Sequence, residues 1–286
     1  AIPDTFKVLM IVKPKLQFSE DEKLKIDQYL LRGGKVLCFI DNLNAEQDSL
    51  SLKPELIAYD RNLNLTDLFF KYGIRINTDL VMDLQCDFMP FAVGGTPDKP
   101  QYEFLHWNYY PLFESKNNHP INKNMGLIAG RFVNSIDTVK ANDVTKTVLL
   151  STSANSRRLG TPAMISLNEN RNTPEDAAFK NKDIPVAVLL EGRFTSLYKN
   201  RITQQQLDSL KTIGVPFVQE SIGDGKMIVV ADGEVDVLAR AVDAGERLLV
   251  QQAGHAVLRC RTLQRLHDHH LVVGGDVGVL EYRRDL

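Results

Sequence analysis

The stretch LLRGGKVLCFIDNLN, residues 30–44, holds three kinds of residue that could do chemistry: a glycine pair, a cysteine and an Asp-Asn pair. A phosphate-binding loop needs its glycines between a strand and the following helix, so that the phosphate meets the helix N-terminus. Here Gly33 and Gly34 follow a helical pattern and precede an apolar run. That order predicts a helix C-cap, where glycine adopts the left-handed conformation at little cost.

Cys38 lies in the middle of that apolar run, between Leu37 and Phe39. A nucleophilic cysteine needs an exposed position on a tight strand-to-helix turn, with a histidine base nearby. We therefore predict that Cys38 is a buried core residue and that the chain has no catalytic residues. Cys86, which lies between two polar residues, is predicted to be partly exposed.

Asp41 and Asn42 directly follow the strand predicted around Cys38. In open α/β sheets, ligands bind beyond the carboxyl ends of the strands. Asp41 is therefore the best-placed polar residue for a small-molecule site, with Asn42 beside it. The alternative is the ordinary turn chemistry of an Asp-Asn pair.

The most aromatic stretch of the chain is EFLHWNYYPLF, residues 103–113. Trp107, Tyr109 and Tyr110 could form a platform on which a sugar or a peptide stacks. The alternative, which we favour, is a cluster in the core or at a domain interface. These three aromatic residues and the Asp-Asn pair are the candidate ligand-binding residues.

The histidine-rich stretch HDHH, residues 267–270, has one pair at helical ligand spacing, His267 and His270. The three cysteines are widely spaced and form neither a CxxC pair nor a disulfide framework. We predict no metal site and no cofactor.

Local signals predict the elements that position these residues. A buried strand over 7–12 is followed by a helix that begins at a Ser19–Glu22 capping box and ends near Arg32. A second buried strand over 36–40 completes a βαβ unit, which should be right-handed with parallel strands. This unit places Asp41 at the carboxyl edge of a sheet.

A second helix carries Leu68, Phe69 and Tyr72, ends at Gly73, and is predicted to be capped by Asn64 or Thr66. Residues 85–183 are rich in Asn, Pro and aromatic residues and are predicted to form a β-rich, loop-rich insertion. Alternating β and α patterns then return, with a strand, a helix and a strand over 185–190, 203–213 and 226–231. The chain is thus predicted to be an α/β domain with an insertion.

The 286 residues are 43% apolar and 24% charged, a composition typical of a soluble globular protein. The net charge of −2 provides no electrostatic basis for binding nucleic acid. No apolar stretch approaches the roughly 18 residues that span a bilayer. We expect any membrane association to occur through segments absent from this chain.

The composition changes abruptly near residue 233. Residues 234–286 contain no Asn, Lys, Ile, Phe, Ser, Pro or Met, although all of these types occur before residue 233. We interpret 1–233 as one domain and 234–286 as a tail that is foreign to it, through a frameshift, a sequencing error or a fusion. The alternative is a small genuine C-terminal domain.

Three stretches together resemble one known family. They are WNYYPLFESKNNHPINKN (107–124), SIDTVKANDVTKTVLLSTSANS (135–156) and IPVAVLLEGRFTSLYKNR (184–201). They are similar to the soluble domain of GldG-type proteins, the auxiliary subunits of a gliding-motility-associated ABC transport system. The βαβ unit and GDGKMIVVADGE (223–234) are also similar to that family.

This resemblance implies a fold similar to flavodoxin-like domains and class I glutamine amidotransferases, without their catalysis. It implies a periplasmic location at the bacterial inner membrane, with a permease and an ATPase subunit as partners. A small-ligand, carbohydrate-like binding module is the alternative function, and a divergent amidotransferase-like hydrolase is a third.

Overall fold

The computed structural model describes residues 2–3, 5–96, 98–123, 125–167, 176–212 and 214–233, together with three strand segments over 248–252, 272–274 and 278–281. The tail predicted to begin at residue 234 is otherwise outside the described residues.

The described residues form the following strands, in chain order: β1 (Val8–Val12), β2 (Lys35–Phe39), β3 (Leu43–Asn44), β4 (Glu55–Asp60), β5 (Ile74–Ile76), β6 (Asp79–Asp83), β7 (Cys86–Thr96), β8 (Lys99–Phe113), β9 (Ile128–Ala129), β10 (Ile136–Thr138), β11 (Val144–Ser151), β12 (Ser156–Gly160), β13 (Ala163–Ser166), β14 (Pro185–Gly192), β15 (Gly225–Val230), β16 (Leu248–Gln252), β17 (Val272–Gly274) and β18 (Gly278–Glu281). Their helices are α1 (Glu20–Leu31), α2 (Gln47–Leu52), α3 (Thr66–Tyr72) and α4 (Gln204–Thr212).

The N-terminal βαβ unit is confirmed. The Glu22 backbone N–H donates to Ser19 Oγ at 3.3 Å, and the Ser19 N–H donates to Glu22 Oε2 at 2.8 Å, so both members of the capping box are in place. Helix α1 ends before Gly33, which has φ +95°, as a C-cap glycine should. Strands β1 and β2 then pair in parallel.

Helix α3 confirms the predicted helix and its end, because Gly73 follows it with φ +105°. The predicted N-cap is wrong: Leu65 occupies that position, and no side chain caps the helix. The Asn64 amide instead donates to the carbonyl of Phe18 at 2.9 Å. The Asn64 side chain, which the local pattern assigned to the helix cap, thus bonds a residue of the loop before α1 instead.

The main sheet has eight strands in the order β11-β14-β15-β2-β1-β16-β18-β17. Its centre, from β15 to β16, is parallel, and the pairs on either side are antiparallel. The sheet is therefore mixed, and the similarity to flavodoxin-like and amidotransferase-like folds stays a prediction.

Residues 85–183 contribute to two parts of the fold. Strand β11 lies within this range and forms an edge of the main sheet by pairing with β14. The other strands in the range belong to small antiparallel sheets, the longest of which is the β7–β8 hairpin.

Alternate residues of the central strands pack on opposite faces of the main sheet. Leu9 and Ile11 of β1 contact the cluster that includes α1 and α3, whereas Met10 and Val12 contact a cluster that includes Phe113. This period of two is expected of a strand that is buried on both faces. A further cluster, built around the aromatic residues of β8, lies apart from these two.

Candidate functional site

Polar residues gather where the three central parallel strands end. Lys13 follows β1, Asp41 follows β2 and Asp232 follows β15. Because these strands are parallel and adjacent, their carboxyl ends meet at one edge of the sheet. This is the edge at which α/β proteins bind ligands, and we call it the carboxyl edge.

The structure places Asp41 at the carboxyl edge, but with partners from its own chain. Asp41 is 8% exposed, and its Oδ2 lies 3.5 Å from Lys13 Nζ. The backbone N–H of Gly233 donates to its other oxygen. A Cβ at residue 233 would lie 2.8 Å from both Asp41 Oδ2 and Lys13 Cγ, so this close approach requires glycine.

Glu46 and Arg61 complete this ion-pair network, and sequence reasoning missed both. Glu46 Oε2 lies 2.9 Å from Lys13 Nζ, and its Oε1 lies 2.9 Å from Arg61 Nη2. Arg61 also donates to the carbonyl of Leu43 at 3.0 Å. Burial alone would raise the pKa of Glu46, but the hydrogen bonds from Lys13 and Arg61 and the charges of Lys13 and Lys15 outweigh it and hold the pKa below its usual value.

Replacing Glu46 with glutamine is expected to lower the free energy of unfolding by about 1 kcal/mol at pH 7. A carboxylate with a lowered pKa stabilises the fold above its unfolded pKa of about 4.3, and this contribution is lost as the pH falls through the folded pKa. The difference between wild type and variant should therefore shrink as the pH falls from about 5 toward 3. Thermal unfolding across this range measures it.

The matched control for that experiment is Glu103→Gln, since Glu103 is exposed on the β7–β8 hairpin. Its melting temperature should follow the wild-type curve. A Glu46→Gln variant with the same deficit at pH 3 as at pH 7 would contradict the ion-pair role.

Asn42 is held at the same edge by a buried amide. Its backbone N–H donates to Asn134 Oδ1 at 2.9 Å, and Asn134 Nδ2 donates to the carbonyl of Asp79 at 2.7 Å. Asn134 is 0% exposed, its bond to Asp79 is buried, and its bond to Asn42 is partly buried. The predicted site residue is thus positioned by a side chain 92 residues away in sequence.

Asn42 also lines an open cleft of about 500 Å³. Most of the residues that line the cleft are polar, and one is an exposed aromatic residue, Phe70. Its other polar walls are Asp60, Asn62, Asn64, Thr66, Asp67, Lys71 and Arg201. Ligand binding by Asp41 and Asn42 stays a prediction, and this cleft is where a small ligand of Asn42 would fit.

The aromatic candidates lie in the core. Trp107, Tyr109 and Tyr110 are 1%, 2% and 4% exposed. Phe132 packs among them, with its ring centroid 5.7 Å from those of Trp107 and Tyr110. This corrects the ligand-binding assignment of the three residues and agrees with the alternative of a core cluster, because buried ring faces are not available to stack on a ligand.

Arg131 connects this aromatic cluster to the carboxyl edge. Its guanidinium lies 5.5 Å from the centroid of the Tyr110 ring, and its backbone N–H donates to Asp232 Oδ2 at 2.8 Å. Asp232 is 1% exposed. The residues around Arg131 and Asp232 contain no pattern that predicts their hydrogen bond, because the two lie 101 positions apart in the chain.

The two described cysteines are buried. Cys38 is 1% exposed, which confirms it as a core residue, and burial raises its pKa to about 12. The prediction of a partly exposed Cys86 is wrong: it is 4% exposed, with Sγ 3.4 Å from Asn108 Oδ1. Burial, with a contribution from the charge of Asp83, raises the pKa of Cys86 to about 11.

Among the described residues, no group of three or more His, Cys, Asp or Glu side chains is arranged to hold a metal ion. His267 and His270 lie outside the described residues. In the same part of the chain, no helix is both long and apolar enough to cross a bilayer.

The sequence of residues 1–248 identifies the family of the chain. A family model described as an ABC-type uncharacterized transport system matches residues 1–248. This chain belongs to that family. It is therefore an auxiliary component of an ABC-type transport system. The match passes residue 233 and ends at 248, and the origin of the tail stays a prediction.

Other comparisons add little to the family assignment. No curated protein matches the chain. Among solved structures, the mmIFT52 N-terminal domain is similar, with 15% identity and a TM-score of 0.41 over 80% of this chain and 68% of that one. A likeness of this degree does not define the fold.

Proposed function

We propose that this ABC transport auxiliary protein is a non-enzymatic interaction domain of a gliding-motility-associated complex. In this proposal the domain lies on the periplasmic side of the inner membrane and works with a permease and an ATPase subunit. Family membership supports the transport role, and the resemblance of residues 107–124, 135–156 and 184–201 to GldG-type proteins supports the finer assignment.

The observation that carries the non-enzymatic part of the proposal is the state of the carboxyl edge. Lys13, Asp41, Glu46 and Arg61 neutralise one another there, and the N–H of Gly233 donates to Asp41. Charged groups that are satisfied within the chain stabilise the edge rather than leaving it open to a substrate. This favours a scaffold that acts through its surfaces.

The burial of Cys38 in β2 also supports the proposal over an amidotransferase-like hydrolase. A nucleophilic cysteine must reach its substrate as a thiolate. Cys38 is 1% exposed, and its raised pKa of about 12 keeps it a neutral thiol at pH 7. These properties are typical of a structural cysteine.

The cleft beside Asn42 favours one second candidate, a module that binds a small polyhydroxy ligand. Phe70, which is 54% exposed, could stack on a sugar ring while Asp60 and Asn62 bond its hydroxyls. A thermal-shift screen with monosaccharides separates the candidates. A concentration-dependent rise in melting temperature that is lost in Asn62→Ala would favour this module.

Affinity purification tests the main proposal. Tagged full-length protein purified from detergent-solubilised membranes of its host is expected to bring down one permease and one ATPase subunit, identified by mass spectrometry. Deleting the gene is expected to abolish colony spreading. Recovery of neither subunit would contradict the assignment of partners, and normal spreading would contradict the role in gliding.

A further inference from the structure

The β7–β8 hairpin has one face packed on the protein and one facing solvent. Directly opposed residues of an antiparallel pair point to the same face, and successive residues alternate between faces. Met89 and Phe91 point inward, where they are 8% and 9% exposed and contact the aromatic cluster. The pairing of Phe88 with His106 and of Pro90 with Phe104 therefore places these residues on the opposite face.

That opposite face, which we call the outer face, is apolar and aromatic. Phe88, Tyr102 and Phe104 are 52%, 60% and 67% exposed. Ala92, which pairs with Tyr102, and Pro90 lie between them and are also exposed. At its base the His106 ring lies 4.1 Å, centroid to centroid, from that of Phe88. None of the six residues of the outer face is an Asp, Glu, Lys or Arg.

Solvent exposure of three aromatic rings on one face is unfavourable in a protein that functions alone. Aromatic side chains bury 150–250 Å² each when covered, so three that are more than half exposed present roughly 300 Å². Contiguous apolar patches of a few hundred Å² mark interaction sites. Tyrosine and other aromatic residues are also enriched among the residues that dominate binding energy.

The area of the outer face argues against a second copy of this chain as its occupant. A stable interface buries about 800 Å² on each partner, well above the area available here. A face of this size is suited to be one anchoring part of a contact with a larger assembly.

The charges of the hairpin argue against a lipid surface and indicate the chemistry of the partner. Asp87 precedes Phe88 at one end of the outer face and Asp98 lies in the turn at the other end, whereas Glu103 pairs with Phe91 and so belongs to the opposite face. Lys99 is the only Lys or Arg in strands β7 and β8 and the turn between them. Anionic lipid headgroups would be repelled by this excess of carboxylates. A protein surface with an apolar centre and basic residues around it would be complementary.

We propose that the outer face of the β7–β8 hairpin docks onto an apolar surface flanked by basic residues on another subunit of the transport complex. The inference rests on the proposed function, because that function supplies the partner subunit. Tyr102 and Phe104 are its central anchors, since they are the most exposed aromatic residues of the face.

Site-specific photo-crosslinking tests the docking. Benzoylphenylalanine in place of Phe104 in the full-length protein, irradiated in host membranes, is expected to give an adduct with the permease or the ATPase subunit. The same group in place of Ile222, which is 72% exposed outside the hairpin, is expected to give none. In parallel, Tyr102→Ser/Phe104→Ser should reduce recovery of the partner subunits at least tenfold.

A matched control tests whether the loss of partner subunits is specific to the hairpin. Leu16→Ser/Ile222→Ser also removes two exposed apolar side chains, 67% and 72% exposed, but outside the hairpin. Both double variants should melt at the wild-type temperature, and only the hairpin variant should lose its partners.

The remaining outcomes separate the two proposals. If wild-type protein recovers both subunits but position 104 gives no adduct and the hairpin variant binds normally, the docking inference fails and the proposed function stands. An adduct with a second copy of the chain, or with lipid, also overturns the docking inference. If wild type recovers neither subunit and position 104 gives no adduct, both proposals fail.

Discussion

Replacing Asp27 with alanine is expected to lower the free energy of unfolding by about 3–5 kcal/mol, because it leaves several buried donors without an acceptor. Asp27 is 0% exposed. It accepts hydrogen bonds from Tyr72 Oη at 2.7 Å, from Ser196 Oγ at 2.7 Å and from the Leu197 N–H at 2.9 Å. Gln28 Nε2 adds a fourth at 2.9 Å. The carboxylate thus joins α1, α3 and the loop after β14.

Urea denaturation followed by circular dichroism measures this loss. The matched control is Asp98→Ala at the exposed tip of the β7–β8 hairpin, which should change stability by less than about 0.5 kcal/mol. A double-mutant cycle with Tyr72→Phe should show coupling of about 1 kcal/mol or more between the two side chains. A loss below about 1 kcal/mol for Asp27→Ala would contradict its role as the shared acceptor.

Replacing Trp107 with alanine is expected to cost about 3–5 kcal/mol, the usual cost of truncating a buried aromatic residue. Trp107 is 1% exposed, and its ring has four aromatic neighbours among the described residues. The ring-centroid distances are 4.9 Å to Tyr110, 5.4 Å to Tyr109, 5.7 Å to Phe132 and 6.2 Å to Phe91. Removing the indole would leave a cavity at the centre of this cluster.

Phe104→Ala is the natural control, because Phe104 lies on the same strand and is 67% exposed. It should change stability by less than about 0.5 kcal/mol. Circular dichroism is the appropriate probe, since Trp107 is the only tryptophan of the chain and its replacement removes the fluorescence signal. Equal losses for the two variants would contradict the assignment of inner and outer faces on the hairpin.

The two variants also illustrate why the aromatic stretch could not be interpreted from its sequence. The stretch EFLHWNYYPLF places aromatic residues on both faces of β8. Its composition alone does not show which of them are buried against the rest of the protein. Phe104 and Trp107 are three residues apart, yet one is exposed and the other is in the core. Burial depends on β7 and on residues around Phe132, which lie elsewhere in the chain.

The hydrogen bonds of polar residues also fall into two groups, those that the sequence predicts and those that it does not. The capping box of α1 forms between residues three apart, so its pattern is visible in the sequence. Asn64 shows the same cap-forming residue type, but it bonds Phe18, 46 positions away. Asp27 and Ser196 are separated by 169 positions. A pattern within a few residues has no information on partners at such separations.

Elements whose signals are local were therefore predictable from the residues alone: the βαβ unit, the glycine ends of α1 and α3, the core position of Cys38 and the placement of Asp41 after β2. The fold decided how those elements are used. It paired Asp41 with the Lys13 ammonium and the Gly233 N–H, buried Trp107 while exposing Phe104, and made β11 an edge of the main sheet. The physical reason is that hydrogen bonding along the backbone and apolar periodicity act over a few residues. Burial and ion pairing depend instead on which distant segments lie together in the folded chain.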